Sequence, residues 1–218
     1  SPSPKLSYKE IDILNRIIRD IFINFKGKLI INNKEKYKDI LNLVQYINPE
    51  SHKNIELKDG KDIFKSHNIY DEIEKALNRK VPLKSGGYLI IDETEALTAV
   101  DINTGKYIGS LDLESTALET NLEAVEELTR QLRLRNIGGI IIIDFIAMNN
   151  QDDEELIMEK LEEELKKDRT KTSVVGMTKL GLVEMTRKKV RNRLSWGYFK
   201  TCPHCNGSGK ILLNNIDK

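Results

Sequence analysis

The sequence predicts an α/β fold with a mixed, layered sheet, built in two successive portions and followed by a short tail. Apolar residues recur at helical spacing in several segments, and short runs rich in isoleucine, valine and leucine separate these segments. Strand-like apolar runs become prominent near residue 80, and this change divides residues 11–79 from residues 80–198. Residues 199–218 form the tail. Residues 1–10, which begin Ser-Pro-Ser-Pro, are expected to be a linker or a cloning remnant.

The first portion is expected to be a small α/β unit. The predicted elements, in order, are a helix over residues 11–22, a strand over 28–32, a helix over 37–47, a strand over 55–57 and a helix over 69–77. Asn32 and Asn33 supply a turn that can cap the second helix. The short strands and longer helices together indicate a small layered unit and not a helical bundle.

The second portion alternates strands and helices. The predicted elements are a hairpin of strands over 88–92 and 97–102, a helix over 110–135, a strand over 140–145, a helix over 152–167, and strands over 172–177 and 182–186. Gly138 and Gly139 are expected to end the first helix. Four isoleucines, Ile140 to Ile143, predict a strand buried on both faces. This order of elements predicts an α/β layered domain with a mixed sheet.

Composition excludes several classes of protein. The chain has 218 residues, a formal net charge of +1 and 39% hydrophobic residues, and its apolar runs are much shorter than a membrane span requires. Neither membrane insertion nor secretion is expected. Its two cysteines, three positions apart, cannot form a disulfide framework and favour a reducing compartment, which predicts a cytoplasmic protein.

Two aspartates and an asparagine form a candidate catalytic site. Asp101 and Asp144 each lie near the end of an apolar strand, where an acid needs a hydrogen bond, a basic partner or a cation. If the two strands are neighbours, both carboxylates face one cleft and suit Mg²⁺. Asn103 projects to the same side as Asp101 and could orient a phosphate or a metal-bound water. The alternative is that both aspartates only cap the turns that follow them.

A second constellation is Cys202-Pro-His-Cys205, followed by Asn-Gly-Ser-Gly, which is typical of a zinc knuckle. One knuckle supplies two of the four ligands of a structural zinc site. Either two copies of the chain share the ion, or the other ligands have been cut away. His204 is an alternative ligand, but it is wedged between the cysteines. A redox pair is the competing use, although this pair does not begin a helix that follows a strand.

The densest basic run in the chain covers residues 187–193. It holds five cations, namely Arg187, Lys188, Lys189, Arg191 and Arg193. Such a run can bind phosphates by neutralising their charge and releasing counterions, or it can be merely a solvated face. Because alternate residues of a strand face opposite sides, at most about half of the run can reach one surface.

Six segments together carry a family resemblance. They are residues 92–103 (DETEALTAVDIN), 119–124 (ETNLEA), 130–135 (RQLRLR), 138–146 (GGIIIIDFI), 180–187 (LGLVEMTR) and 202–209 (CPHCNGSG). In this order they closely resemble the catalytic core of the ribonuclease E/G family of bacterial endoribonucleases. Residues 11–79 match more weakly the part of an RNase H-like subdomain that precedes this core.

The resemblance implies that residues 80–198 form a DNase I-like subdomain in which Asp101 and Asp144 hold Mg²⁺ and Asn103 assists at the scissile phosphate. It implies in-line attack of water on phosphorus, with the ion generating the nucleophile and neutralising phosphate charge. Single-stranded, A/U-rich RNA would be cleaved to 5′-phosphate and 3′-hydroxyl ends, in RNA processing and mRNA decay. Residues 199–218 would be a zinc link, in which Cys202 and Cys205 of two protomers share one Zn²⁺ in a homodimer.

The sequence also departs from the family pattern. Ala147 stands where an aspartate usually follows Asp-Phe-Ile, and Lys171 replaces an arginine near the RNA path, which keeps the charge but loses the bidentate fork. Family members carry an S1-type RNA-binding domain and a 5′-end sensing region before this segment, and neither is expected within this chain. Two further functions therefore stay open. One is a catalytically weak module that binds RNA and dimerises through zinc, and the other is a phosphotransferase, although no Walker-type loop is present.

Overall fold

The computed structural model describes residues 13–24, 27–105 and 113–210. These residues form two compact units, which lie within Ser1–Glu72 and Ile73–Lys218. The predicted head at residues 1–10 lies outside the described residues, as do residues 11–12 of the predicted first helix, residues 110–112 of the predicted helix over 110–135 and residues 211–218 of the tail. In the described ranges, no helix has both the length and the apolar character needed to cross a bilayer.

The first unit is a small α/β structure, as predicted. Its elements are α1 (Ile13–Asp20), a 3₁₀ turn (Phe22–Asn24), β1 (Leu29–Ile31), α2 (Lys34–Ile47), a 3₁₀ turn (Pro49–Asn54), β2 (Ile55–Leu57) and α3 (Ile63–Ser66). The next helix, α4 (Ile69–Leu77), contains the boundary between the two units. β1 and β2 pair in parallel, with Leu29 opposite Ile55. α2 begins where the Asn33 side chain accepts a hydrogen bond from the Lys36 N–H at 2.9 Å.

The second unit contains a six-stranded mixed sheet with the strand order β3-β4-β5-β6-β8-β7 in the described residues. Its elements are β3 (Lys80–Pro82), β4 (Tyr88–Glu93), β5 (Leu97–Asn103), α5 (Leu113–Leu134), β6 (Gly139–Asp144), α6 (Gln151–Leu165), β7 (Thr172–Met177), β8 (Leu182–Arg187) and α7 (Leu194–Tyr198). β5 and β6 run parallel, whereas each of their other neighbours is antiparallel. The predicted α/β fold with a mixed sheet is therefore confirmed.

The core of the second unit lies on one face of the sheet, beneath α5 and α6. Leu89, Val100, Ile141 and Ile143 point to this face and are buried. The opposite face is open at β6, where Ile140 is 50% exposed and Ile142 is only half-buried. The prediction that β6 is buried on both faces was therefore wrong, because alternate isoleucines face the helices and the open side.

The end of α5 also differs from the prediction. Asn136 adopts a left-handed conformation with φ at 50°, and the Ile137 N–H donates to the Leu132 carbonyl at 3.0 Å. This is the Schellman arrangement, in which a left-handed residue satisfies the last carbonyls of a helix. Asn136 therefore ends α5, and Gly138 and Gly139 lie beyond it at the start of β6.

Candidate active site

The predicted catalytic aspartates lie side by side at the ends of neighbouring strands. Asp101 of β5 is directly opposite Asp144 of β6 in the parallel register. Adjacent strands are about 4.8 Å apart, so both carboxylates project from the open face of the sheet at the same level along the strands. Both residues are exposed, and neither has a salt-bridge partner among the described residues. The sheet thus holds two like charges together in solvent.

Asn103 lies two residues beyond Asp101 on the same strand and the same face. Its side-chain amide donates a hydrogen bond from Nδ2 to Oδ2 of Asp101 at 2.9 Å. The hydrogen bond fixes the orientation of the Asp101 carboxylate and leaves Oδ1 of Asn103 free to accept from a ligand. The predicted grouping of Asp101, Asn103 and Asp144 is therefore present as a geometric unit.

An ion pair lies beside this unit on the same face. Asp92 of β4 is opposite Ala99 of β5, two residues from Asp101, and accepts two hydrogen bonds from the Arg79 guanidinium. The hydrogen bonds to Asp92, the negative charge of Asp92 and, more weakly, that of Asp101 raise the pKa of Arg79. This pair was not predicted from the sequence, because its partners are separated by a strand and a loop.

The donor set of the carboxylate unit fits a hard divalent cation. Mg²⁺ takes one or two carboxylates and fills its other positions with water and phosphate oxygens. Two exposed carboxylates at one level, one of them oriented by an amide, meet that requirement. In the part of the chain that the structure describes, no cluster of three or more His, Cys, Asp or Glu side chains could hold a metal ion. Because Asp101 and Asp144 are both exposed, an ion held between them would be open to water and substrate.

Arg187, predicted to contact RNA, is instead a buried structural residue. It ends β8 facing the core and is 4% exposed. Its guanidinium donates to the Asp168 carboxylate at 2.8 Å and to the Ile137 carbonyl at 2.7 Å. Burial raises the pKa of Asp168, but the hydrogen bonds from Arg187 and from the Thr170 N–H outweigh it, so the pKa is lowered. We therefore exclude Arg187 from the candidate RNA surface.

Arg193, at the other end of the basic run, is partly buried and paired. Its Nη1 donates to Glu93 at 3.3 Å, and the two side chains are 14% and 18% exposed. The same Glu93 oxygen accepts from the Ser195 hydroxyl at 3.1 Å. Arg193 thus has a structural partner that would compete with any phosphate.

The other basic residues of the run have exposed side chains. Lys188, Lys189 and Arg191 lie in the loop after β8, and Lys171 lies beside them, accepting a hydrogen bond from the Lys188 N–H at its carbonyl. A backbone hydrogen bond from Leu194 to the Arg135 carbonyl, at 2.9 Å, ties the far end of this loop to the end of α5. Backbone hydrogen bonds therefore hold both ends of the loop that carries these exposed lysines.

The glycine pair after α5 makes room for one of these lysines. A Cβ atom on Gly139 would lie 2.7 Å from Cε of Lys189, and one on Gly138 would lie 3.1 Å from Cα of Lys189. Any larger residue at these two positions would displace the Lys189 backbone or side chain. The glycines thus allow the basic loop to lie directly against the first residues of β6.

A cavity of about 1230 Å³ in the second unit adjoins both the basic loop and the Arg79–Asp92 pair. Lys189 and Arg191 line one side of it, and Trp196 and Phe199 supply apolar surface. These aromatic residues are 69% and 61% exposed. Neither residue was predicted from the sequence, although aromatic residues beside a basic run are a recognisable signal of single-stranded nucleic-acid binding.

The Cys202–Cys205 loop is a tight turn closed by backbone hydrogen bonds. The Asn206 N–H donates to the Cys202 carbonyl at 2.9 Å, and Asn206 and Gly207 are left-handed, with φ at 47° and 87°. Hydrogen bonds from the backbone N–H groups of Gly209 and Gly207 and from Cys202 lower the pKa of the Cys205 thiol. Both cysteines are free thiols, so the donor chemistry fits zinc.

Known proteins are similar to this chain over most of its length. The sequence matches the model of the Ribonuclease E/G family over residues 1–190. Ribonuclease G of Salmonella typhimurium (strain SL1344) and ribonuclease G of Escherichia coli (strain K12) are each 45% identical to it over 205 residues, which is 94% of this chain and 42% of theirs. Ribonuclease E of Buchnera aphidicola subsp. Schizaphis graminum (strain Sg) is 39% identical over 215 residues, 97% of this chain and 22% of that protein. The chain spans less than half the length of these curated relatives, and it belongs to the ribonuclease E/G family.

Proposed function

We propose that this chain is the core of a Mg²⁺-dependent endoribonuclease that cleaves single-stranded, A/U-rich RNA and leaves 5′-phosphate and 3′-hydroxyl ends. The observation that carries the proposal is the in-register placement of Asp101 beside Asp144, with Asn103 bonded to Asp101. The relatives named above are ribonucleases, which supports RNA as the substrate. RNA processing and mRNA decay are the processes that such an activity would serve.

In this proposal the carboxylates of Asp101 and Asp144 hold Mg²⁺ at the open face of the sheet. The ion would neutralise phosphate charge and make a water molecule a better nucleophile. Asn103 keeps the Asp101 carboxylate oriented and uses its free oxygen to orient the nucleophilic water. Because both aspartates are exposed, an extended RNA backbone can reach them without any part of the sheet opening.

The basic loop and the cavity beside it would hold the RNA. Lys188, Lys189 and Arg191, with Lys171 beside them, can neutralise phosphates. Trp196 and Phe199 offer faces on which unpaired bases can stack, which favours single strands over duplexes. The cavity also reaches Asp92. Asp92 pairs with Ala99 of β5, which lies two residues, or about 7 Å, along that strand from Asp101. RNA bound in the cavity would therefore lead toward the carboxylate pair.

Cleavage of a short single-stranded RNA made of A and U tests the proposal. Wild-type chain should cut it with Mg²⁺ and not with EDTA, and the ends of the products can be identified by labelling. Asp101→Asn and Asp144→Asn should each slow cleavage about 1,000-fold, since a metal ion stabilises phosphoryl charge by several kcal/mol. Glu159→Gln is the matched control, because this carboxylate is exposed on α6, which packs on the face of the sheet opposite the two aspartates. Cleavage by Asp101→Asn at the wild-type rate would remove Asp101 from the site.

The two free thiols of the Cys202–Cys205 loop favour a second function, namely assembly. We propose that Cys202 and Cys205 of two protomers share one Zn²⁺, since each chain provides two thiolates and structural zinc sites take four ligands. The chain would then be an RNA-binding homodimer even if it is a weak nuclease. The proposed compartment is the cytoplasm, where the thiols remain reduced.

Metal content and mass in solution, measured on the same sample, test the zinc link. One zinc per two chains and a dimeric mass are expected. Both should be lost together in Cys202→Ser, or on adding a chelator, while the sheet stays folded. His204→Ala is the control that keeps both thiols. One zinc per chain, or a metal-free dimer, would contradict the shared site.

A further inference from the structure

One turn of α5 carries two polar side chains that the proposed chemistry does not use. Asn121 is fully buried and Glu123 is half-buried, and both belong to the ETNLEA segment. Residues two apart on a helix point about 200° apart around its axis. Side chains at these two positions can therefore reach strands on opposite sides of β5, which is the strand that carries Asp101.

Asn121 holds the chain that leaves β6 just after Asp144. Its Nδ2 donates to the Ile146 carbonyl at 2.9 Å, and its Oδ1 accepts from the Ile146 N–H at 3.0 Å. Ile146 lies beyond the last ladder position of β6, so the sheet itself no longer fixes the backbone there. The amide of Asn121 takes the place of a neighbouring strand and ties the segment after Asp144 to α5.

Glu123 holds the turn that precedes β4. Its two carboxylate oxygens accept from the backbone N–H groups of Lys84 and Ser85. Burial raises the pKa of Glu123, but hydrogen bonds from Ser85 and Lys84 outweigh it, so the pKa is lowered and the carboxylate stays ionised. Ionised carboxylates make stronger hydrogen bonds than neutral groups, so this turn is firmly attached to α5.

The turn held by Glu123 lies against the end of β5. A Cβ atom on Gly87 would be 2.7 Å from the Asn103 carbonyl, and one on Gly105 would be 2.5 Å from the Gly86 carbonyl. The backbones therefore meet with no space for a side chain, and a movement of the turn must move the chain at Asn103. Through this contact Glu123 fixes the backbone that carries Asn103.

We propose that Asn121 and Glu123 are positioning residues, which set the separation of Asp144 from the Asp101–Asn103 pair and so govern the affinity of the site for a divalent cation. This inference rests on the proposed function. Neither residue touches the ion or the RNA, and each acts through a backbone segment that it holds to α5. Removing a group that orients a metal ligand without binding the metal commonly weakens metal affinity by about 10- to 100-fold.

Binding of free Mn²⁺, measured by electron paramagnetic resonance without RNA, tests the inference apart from catalysis. Asn121→Ala should weaken Mn²⁺ binding by about 10-fold and raise the Mg²⁺ concentration for half-maximal cleavage by a similar factor. Excess Mg²⁺ should restore most of its cleavage rate. Glu123→Gln, which keeps one acceptor oxygen, should show a smaller shift in the same direction.

Thr129→Val is the matched control. Thr129 is also buried on α5, but its hydroxyl donates to the Glu126 carbonyl within the same helix at 3.0 Å. Its replacement should lower stability and leave Mn²⁺ affinity unchanged. If Asn121→Ala fails to fold, Asn121→Asp replaces it, since this variant keeps the acceptor for the Ile146 N–H and removes the donor.

The possible outcomes separate the two ideas. Wild-type affinity for Mn²⁺ in folded Asn121→Ala and Glu123→Gln would overturn the positioning role and leave the proposed function intact. An equal loss of affinity in Thr129→Val would also overturn it, because stability alone would then explain the effect. A wild-type chain that neither binds Mn²⁺ nor cleaves RNA would overturn both.

Discussion

Arg187 and Lys188 are adjacent in one basic run, yet their surroundings are opposite. Arg187 ends β8 with its guanidinium buried against Asp168, whereas Lys188 begins the loop after β8 with its side chain in solvent. Arg193 lies between these extremes, paired with Glu93 at a partly buried position. Local charge density therefore does not decide which cations are available to phosphate. Burial and the presence of a carboxylate partner decide it.

Replacing Arg187 should have the largest effect on stability. Arg187→Met leaves the Asp168 carboxylate buried without its partner, which typically costs about 3–5 kcal/mol. Urea unfolding at neutral pH measures the loss. Lys188→Met, the control one residue away, should change the free energy of unfolding by less than about 0.5 kcal/mol. Equal losses in the two variants would show that the difference in burial has no energetic meaning.

Acid should weaken the same pair. The pKa of Asp168 is lowered in the folded chain, so its carboxylate stabilises the fold above its unfolded pKa of about 3.9 and loses that contribution as pH falls through the folded pKa. The free energy of unfolding should be measured for wild type and Asp168→Asn between neutral pH and about pH 2. The two curves should converge as pH falls. A constant difference would mean that Asp168 does not titrate with folding.

The Arg193–Glu93 pair should contribute less. Arg193→Gln should cost about 1–2 kcal/mol, because a partly exposed pair loses charged hydrogen bonds but regains solvent. A double-mutant cycle with Glu93→Gln isolates the interaction between the two side chains. A coupling energy near zero would show that Glu93 does not hold Arg193. Arg193 would then be as available to RNA as the exposed lysines are.

The exposed cations should matter for RNA and hardly for stability. Changing Lys188, Lys189 and Arg191 together to glutamine should leave the free energy of unfolding within about 0.5 kcal/mol. The slope of log K against log salt for single-stranded RNA should fall by about 0.7 for each phosphate that the loop no longer neutralises. A variant with Lys34, Lys38 and Lys65 changed to glutamine removes the same charge from the first unit. An equal fall of the slope in both variants would show that the basic loop is a solvated face with no special role in RNA binding.

The alternation of β8 shows what the sequence could and could not predict. Val183, Met185 and Arg187 occupy every second position, so the pattern alone places Arg187 on the core face. Its partner Asp168 is 19 residues away, and no local rule pairs them. The same limit applies to Asp101 and Asp144. The sequence placed each at a strand end, but their register depends on strand order, which tertiary packing decides.

The hairpin of β4 and β5 and the long helix α5 were predicted correctly, because they depend on turn chemistry and on spacing within one segment. The roles of Asn121 and Glu123 were not predicted. Each contacts backbone that is distant in sequence, and buried polar residues on a helix give no signal of what they hold. The open side of β6 was missed for a related reason, since four isoleucines do not reveal that, among the described residues, the helices α5 and α6 pack on one face of the strand and leave Ile140 half exposed.

The parallel pairing of β5 with β6 has a consequence for the order of folding. The antiparallel pairs β4–β5 and β7–β8 join segments that are close along the chain and can form early. Asp101 and Asp144 meet only after the chain that contains α5 has crossed over the sheet and returned beside β5. A chain arrested before this crossover would have both hairpins and no paired carboxylates. Acquisition of metal binding during refolding would therefore report the closing of a long loop and not the formation of secondary structure.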